Sequence, residues 1–267
     1  LAEQRRILVL CAALLATLAT GAARAAQTGG GAPLPPTAAP TVAPPAAAPG
    51  TAPATALVPF KAVFSVTWRG MNAGTASLEL QPLGNGRWRY TSRNNARGLF
   101  RIAFPDEITQ SSEISLNGEV RPLRFRGEDG SDSTARDVRL DFDWRAARVT
   151  GLAEDQAVDL ALRPGMQDPL SVQIALMVEL AAGRTPAEYW IVDKTRTKDY
   201  EYRAEGRAVL ATPAGELDTV IWSSRRPGSD RVTRVWYAPA RGYAPVRAER
   251  LRAGSVEISM TLRSLAT

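Results

Sequence analysis

The stretch Asp168-Pro169-Leu170-Ser171-Val172-Gln173-Ile174-Ala175-Leu176-Met177-Val178-Glu179-Leu180-Ala181-Ala182-Gly183 decides how the rest of the chain is read. Asp168 suits a helix N-cap, where a carboxylate accepts from the free N–H groups of the first turn. Pro169 suits the first helical position, because its missing N–H is no loss there. Gly183 suits the left-handed residue that ends a helix. The pattern predicts a helix over residues 169–182. Its polar side chains are Ser171, Gln173 and Glu179. At about 100° per residue they point in well-separated directions, so no solvent face remains. A helix that is apolar all round is buried, and this one falls short of the ~20 apolar residues that span a bilayer. Each large side chain stabilises the fold by roughly 1.5–3 kcal/mol when buried. The helix therefore needs partner surfaces on several sides.

Strands are the available partners. Phe60, Ala62, Phe64, Val66 and Trp68 share one parity, and Lys61, Ser65 and Thr67 the other, which describes a strand with one wet face. Similar alternation recurs at 76–80, 88–92, 108–116, 120–125, 138–144 and 158–162. After the helix it recurs at 189–192, 200–203, 209–212, 217–222, 232–237, 245–251 and 256–262. Asn117-Gly118 is a two-residue hairpin signal. Pro122 demands an edge or irregular position. Residues 98–104 fit a short helical or irregular crossing. Short turns between strands imply antiparallel pairing, since parallel pairs need long crossovers. So many strands must curl to protect their edges. The fold class expected is mainly β: a single long antiparallel meander curled into an open barrel or spiral around one buried α-helix, at about 169–182.

The N-terminus points to export. Arg5 and Arg6 precede an apolar run at 7–20, and Ala23-Arg24-Ala25 has the small-x-small form of a signal-peptidase site. Residues 1–25 read as a cleaved secretory signal peptide, which makes the compartment the periplasm. Cys11 is the one cysteine among 267 residues, and it lies within the apolar run behind Leu10. A lipoprotein signal needs a small residue there, so a lipid anchor is not expected. Residues 26–57, rich in Pro and Ala and free of charge, read as a disordered linker. The β-rich domain then spans 58–267. Losing Arg5, Arg6, Arg24 and Glu3 with the leader lowers the net charge from +6 to about +4. Three basic residues are lysine (Lys61, Lys194, Lys198) and the rest arginine, without a clustered basic stripe. Nucleic acid is not an expected partner, and contact with a membrane would be peripheral at most.

Asp168-Pro169-Leu170-Ser171 before an apolar helix is followed by Thr212-Pro213-Ala214-Gly215-Glu216-Leu217-Asp218-Thr219-Val220 and by Trp236-Tyr237-Ala238 with Pro245-Val246-Arg247. With Gly70, Gly74 and Ala76-Ser77-Leu78-Glu79-Leu80 in the opening strands, this order resembles the bacterial exported proteins of domain of unknown function 3108, over about residues 58–265. The resemblance implies a periplasmic β meander curling round a helix, similar to the open barrels of lipoprotein carriers. It carries over no catalytic residues.

The available chemistry is narrow. Histidine is absent, which removes the commonest general base and metal ligand. No cofactor is called for, and no glycine-rich phosphate loop stands between strand and helix. Asp141 and Asp143 share a strand face and could act as an acid/base pair; a solvated face neutralised by Arg139 and Arg145 is the plainer account. Glu128, Asp129 and Asp132 around Gly130 have ordinary turn composition. A Ser171–Lys194 or Ser171–Lys198 dyad would need a serine that a helix first turn normally uses for capping. Arg247 and Glu249 fit ion pairing at a solvent face. The aromatics Phe60, Phe64, Trp68, Trp88, Tyr90, Phe142, Trp144, Trp190, Trp222 and Trp236 fall at or near inward parity, as core or as the wall of a cavity.

The leading expectation is thus a non-enzymatic envelope protein that binds a lipid-like ligand or a partner protein between sheet and helix. Ile174, Met177, Trp68, Trp88, Trp144 and Trp222 are the candidate contacts. One alternative is a structural or scaffolding module with a filled core. Another is a carboxylate-based hydrolase of cell-wall glycan.

Overall fold

The alternation in the sequence becomes one antiparallel sheet of fourteen strands. The computed structural model describes residues 57–98, 100–103, 106–131 and 133–267. The expected signal peptide and all of the expected linker but Leu57 lie outside the described residues; Leu57 itself is packed into the core. The first half holds β1 (Phe60–Trp68), β2 (Met71–Gly84), β3 (Arg87–Ala96), the short helix α1 (Phe100–Ala103), β4 (Ile108–Asn117), β5 (Glu119–Glu128), β6 (Val138–Asp143), β7 (Arg148–Ala153) and β8 (Gln156–Ala161). The long helix α2 (Ser171–Ala181) follows. The second half holds β9 (Glu188–Asp193), β10 (Arg196–Thr212), β11 (Gly215–Arg225), β12 (Arg231–Ala238), β13 (Ala244–Arg252) and β14 (Ser255–Ala266).

Every spatial neighbour is a sequence neighbour except at one place. The order runs β8 to β1, then β14 back to β9. The first and last strands thus pair in the middle of the sheet, from Lys61↔Ala266 to Trp68↔Ile258. The two edges, β8 and β9, belong to the middle of the chain, and the segment carrying α2 joins them. The sheet is not closed into a barrel. Gln167 partly spans the gap: its N–H donates to the Trp190 carbonyl at 2.8 Å and its carbonyl accepts from Val192 N–H at 2.9 Å. Its side-chain amide donates to the Val120 carbonyl of β5 at 3.0 Å. Lys194 in the β9–β10 turn pairs with Glu154 in the β7–β8 turn at 2.5 Å.

The expected helix is present and enclosed. Ser171, Val172, Gln173, Ile174, Ala175, Leu176, Met177, Val178 and Leu180 are all buried. The regular helix starts at Ser171, but its cap begins at Asp168. One carboxylate oxygen of Asp168 accepts from the N–H of Leu170 (2.7 Å) and of Ser171 (2.8 Å). In return the Asp168 N–H donates to Ser171 Oγ at 2.8 Å. The exchange satisfies donors on both sides, as in a capping box. At the other end Gly183 has φ +70°. Its N–H donates to the Leu180 carbonyl (3.0 Å) and the Arg184 N–H to that of Glu179 (2.9 Å), the paired bonds of a Schellman stop.

Of three local features, one differs from the sequence expectation, while the irregular position of Pro122 and the short helical crossing after residue 98 meet it. The strands expected at 200–203 and 209–212 are one strand, β10, kinked where Glu205 and Gly206 break the register. Charged residues at the kink interrupt the apolar alternation that would have joined them. Pro122 lies inside the sheet, at a register shift opposite Ile114, where a bulge tolerates the missing N–H. Residues 100–103 form the helical crossing α1.

Two measurements check this account. Gly151 (φ +150°) faces the Arg139 carbonyl so closely that a Cβ would stand 1.9 Å from its oxygen, whereas a Cβ at Gly84 (φ +83°) meets nothing within 4 Å. In urea denaturation, Gly151→Ala should cost more than about 2 kcal/mol and Gly84→Ala about 1 kcal/mol; equal costs would remove the clash as the cause. The second concerns Asp168, which is fully buried. Desolvation pushes its carboxyl up from 3.8 to about 6, against hydrogen bonds from Ser112, Ser171 and Leu170 that favour the ionised form. A raised folded pKa means stabilisation that is complete below 3.8 and lost as pH rises through about 6, worth about 3 kcal/mol. Asp168→Asn keeps an acceptor for both N–H groups and cannot ionise. Relative to that variant, the wild type should lose stability as pH rises across this window; a flat difference in unfolding midpoints would contradict it.

Candidate functional site

The region between α2 and the sheet is the place to look for a site, and it is packed. Ile174 is 0% and Met177 1% exposed. Trp222 of β11 is buried and faces the helix. With Tyr202, Val235 and Tyr237 it lines a pocket against Gln173 and Leu176, and the free volume is ≈ 10 Å³. That is about the space of one water molecule.

The polar groups at this seat are neutral hydrogen-bonding groups. Gln173, the one amide on the helix, accepts from the Tyr90 hydroxyl of β3 at 3.0 Å, both being buried. Burial pushes the Tyr90, Tyr202 and Tyr237 hydroxyls well above the ordinary tyrosine range, so they stay protonated. The buried carboxyl at the start of the helix, Asp168, also accepts from Ser112 Oγ of β4 at 2.5 Å. Its oxygens are occupied in holding the helix start. The cross-sheet partners Tyr90 and Ser112 were not foreseen as partners. The signal available was the rule that a polar side chain inside an apolar element must be met by another; the sequence does not say by which.

The six expected contact residues do not converge. Ile174, Met177 and Trp222 share the core. Trp68 lies at one end of the sheet, the rim, where the β1–β2, β7–β8, β11–β12 and β13–β14 turns gather. Trp88 and Trp144 lie at the opposite end, the base. There Trp88 is in register with Ile114 and Ile114 with Pro122, whose carbonyl accepts from Trp144 Nε1 at 2.7 Å. Among the other aromatics, Trp190 is 38% exposed on edge strand β9. Trp236 is buried and belongs to the core cluster, with Arg247 over its ring at 5.2 Å.

The charged candidates are committed to structural pairs. Asp141 is in register with Arg124 and is held by Arg124 and Arg126 at 3.0 Å each. These cross-strand arginines take the role expected of Arg139 and Arg145, because residues opposite each other on adjacent strands are nearer than i±2 neighbours. Asp143 accepts from the N–H groups of Arg145 (2.9 Å) and Ala146 (2.8 Å), capping a turn away from Asp141. Asp129 accepts from Ser131 and pairs with Arg136 at 3.0 Å. Ser171 is used by the helix cap, Lys198 pairs with Asp193, and Lys194 with Glu154, so no serine–lysine dyad forms. Arg247 and Glu249 do pair, at 2.6 Å along one strand. Among the described residues no group of three or more metal-ligating side chains comes together.

Comparison with known proteins supplies a family. No curated protein matches the chain. A β-barrel-like protein of domain of unknown function 1849 from Brucella abortus is 12% identical, with 78% of this chain and 97% of that one covered, at a TM-score of 0.48. MucB in the Pseudomonas aeruginosa MucA/MucB complex is 13% identical over 78% of this chain and 51% of that one, at 0.35. A protein with a YmcC-like fold from Bacteroides fragilis is 9% identical over 78% and 95%, at 0.35. The model of a family described as protein of unknown function DUF3108 matches residues 63–262. With its sheet and its enclosed helix both inside or bordering that match, the chain belongs to the DUF3108 family.

Proposed function

We propose that this is a non-catalytic protein of the bacterial envelope, exported to the periplasm, that works by surface contact with a partner rather than by enclosing a ligand. The observation that carries this is how little space is left between the helix and β11–β12. Ligand sites usually offer about 300–1,000 Å³, against ≈ 10 Å³ beside the helix. Of the residues expected to touch an internal lipid, Ile174, Met177 and Trp222 are packed in the core. The hydrolase alternative receives no support from its carboxylates: Asp141 sits in a cross-strand ion pair and Asp143 in a turn. The export signal and the family's exported character support the compartment.

The test is native mass spectrometry of protein purified from its own envelope fraction. The expected result is an unliganded mass with no stoichiometric lipid; a tightly held acyl-chain adduct would overturn the filled-core reading. As a second check, Ile174→Ala should lower stability by ~2–5 kcal/mol, the cost of a core cavity. A loss well under 1 kcal/mol in urea titration would mean that the helix face is not structural.

A further inference from the structure

The rim carries an exposed apolar cluster beside unpaired arginines. Ile102 is 76%, Met71 52% and Val256 47% exposed; they are three of the eight large apolar side chains exposed among the described residues, and they include the most exposed of all. The fold gathers them. Trp68 is in register with Met71 across the β1–β2 turn. The Phe100 ring packs edge-on to Trp68 at 5.9 Å, which brings α1, and with it Ile102, to the same place. The Arg69 N–H donates to the Glu257 carbonyl at 2.8 Å, setting that turn beside Val256. Three arginines stand among them. Arg69 lies 5.0 Å from the Trp68 ring centre and 3.6 Å from Glu257. Arg97 and Arg101 are exposed and have no acidic partner among the described residues. Even with Glu257 and Asp106 counted against them, the cluster is net positive.

We propose that this rim is a docking surface for an anionic lipid bilayer. The proposal rests on the reading that the protein acts through its surface, and it names the partner. The apolar side chains stand at the ends of two strands and on a one-turn helix, where they are exposed. Exposed Ile and Met side chains suit shallow insertion at the acyl boundary. Arg97 and Arg101 then reach lipid phosphates, which guanidinium groups bind in bidentate fashion. A second copy of the chain meeting this one at the same cluster is a poorer occupant, because it would set Arg97 and Arg101 against their own copies.

The test is co-sedimentation of the chain from residue 26 onward, which keeps every described element, with two kinds of vesicle. One kind holds phosphatidylglycerol and phosphatidylcholine in equal parts, the other phosphatidylcholine alone. Binding is expected to the first and not the second, and should weaken as salt is raised. Met71→Ser with Ile102→Ser, and separately Arg97→Gln with Arg101→Gln, should each reduce binding about tenfold or more. Unchanged urea midpoints would show that the variants still fold. Absence of sedimentation by the wild type, or equal sedimentation by both folded variants, overturns the proposal. In that case an unliganded native mass leaves the surface-contact reading standing, with a protein as the remaining partner. Soluble one-to-one extraction of lipid from the vesicles would sink both.

Discussion

A helix without a polar face has to be enclosed, and this requirement shapes the molecule. A flat sheet covers one side of a helix; α2 is buried on all of them. The sheet therefore curls, and its two edges come towards the segment that holds the helix. Enclosure then makes demands on polar groups. Gln173 needs Tyr90, and the first-turn N–H groups need Asp168, which in turn takes Ser112. Each is a bond between the helix segment and a strand, and together they fix its position along the sheet. The cost of a carboxylate out of water is visible in the raised pKa of Asp168.

The outer surface answers a different problem. A fourteen-stranded sheet that is not closed has edges that invite other strands. Beyond β9, β10 runs on with its outer side unshielded by that strand, and this stretch carries the Glu205–Gly206 bulge together with Arg203 and Arg207. Bulges and charges are the usual means of discouraging edge pairing. Across the outer face of β3 to β6, Arg89, Glu113, Arg124 and Asp141 form a run of opposite charges from strand to strand. Exposed pairs of this kind add little stability each. They do specify register, since a slip by one residue would set each charge on the inner face.

The helix was legible in the sequence because its cap, its stop and its lack of a wet face all lie within sixteen consecutive residues. The antiparallel meander was legible because alternation and turn residues are local. The register was not. Alternation marks two faces without saying which strands will lie against each other. Asp141 was given the wrong arginines because its partners lie on β5, across the β5–β6 connection. The spread of the candidate contact residues over the fold was not legible for a related reason. Large aromatics at inward parity describe a wall around a cavity and a solid core equally well, and only packing separates the two. The exposed cluster on α1 had no periodic signal at all, since one turn of helix is too short to show one.

The seam between β1 and β14 has a consequence for how the chain assembles. β1 is among the first strands to emerge during synthesis, yet half of its backbone partners belong to the final dozen residues. Until those are released, β1 can pair with β2 alone, and two curved half-sheets wait with their greasy faces uncovered. Contacts this remote along the chain slow the completion of a fold. A protein built in this way depends on protection of its incomplete forms, and loss of β14 strikes the centre of the sheet, not its margin.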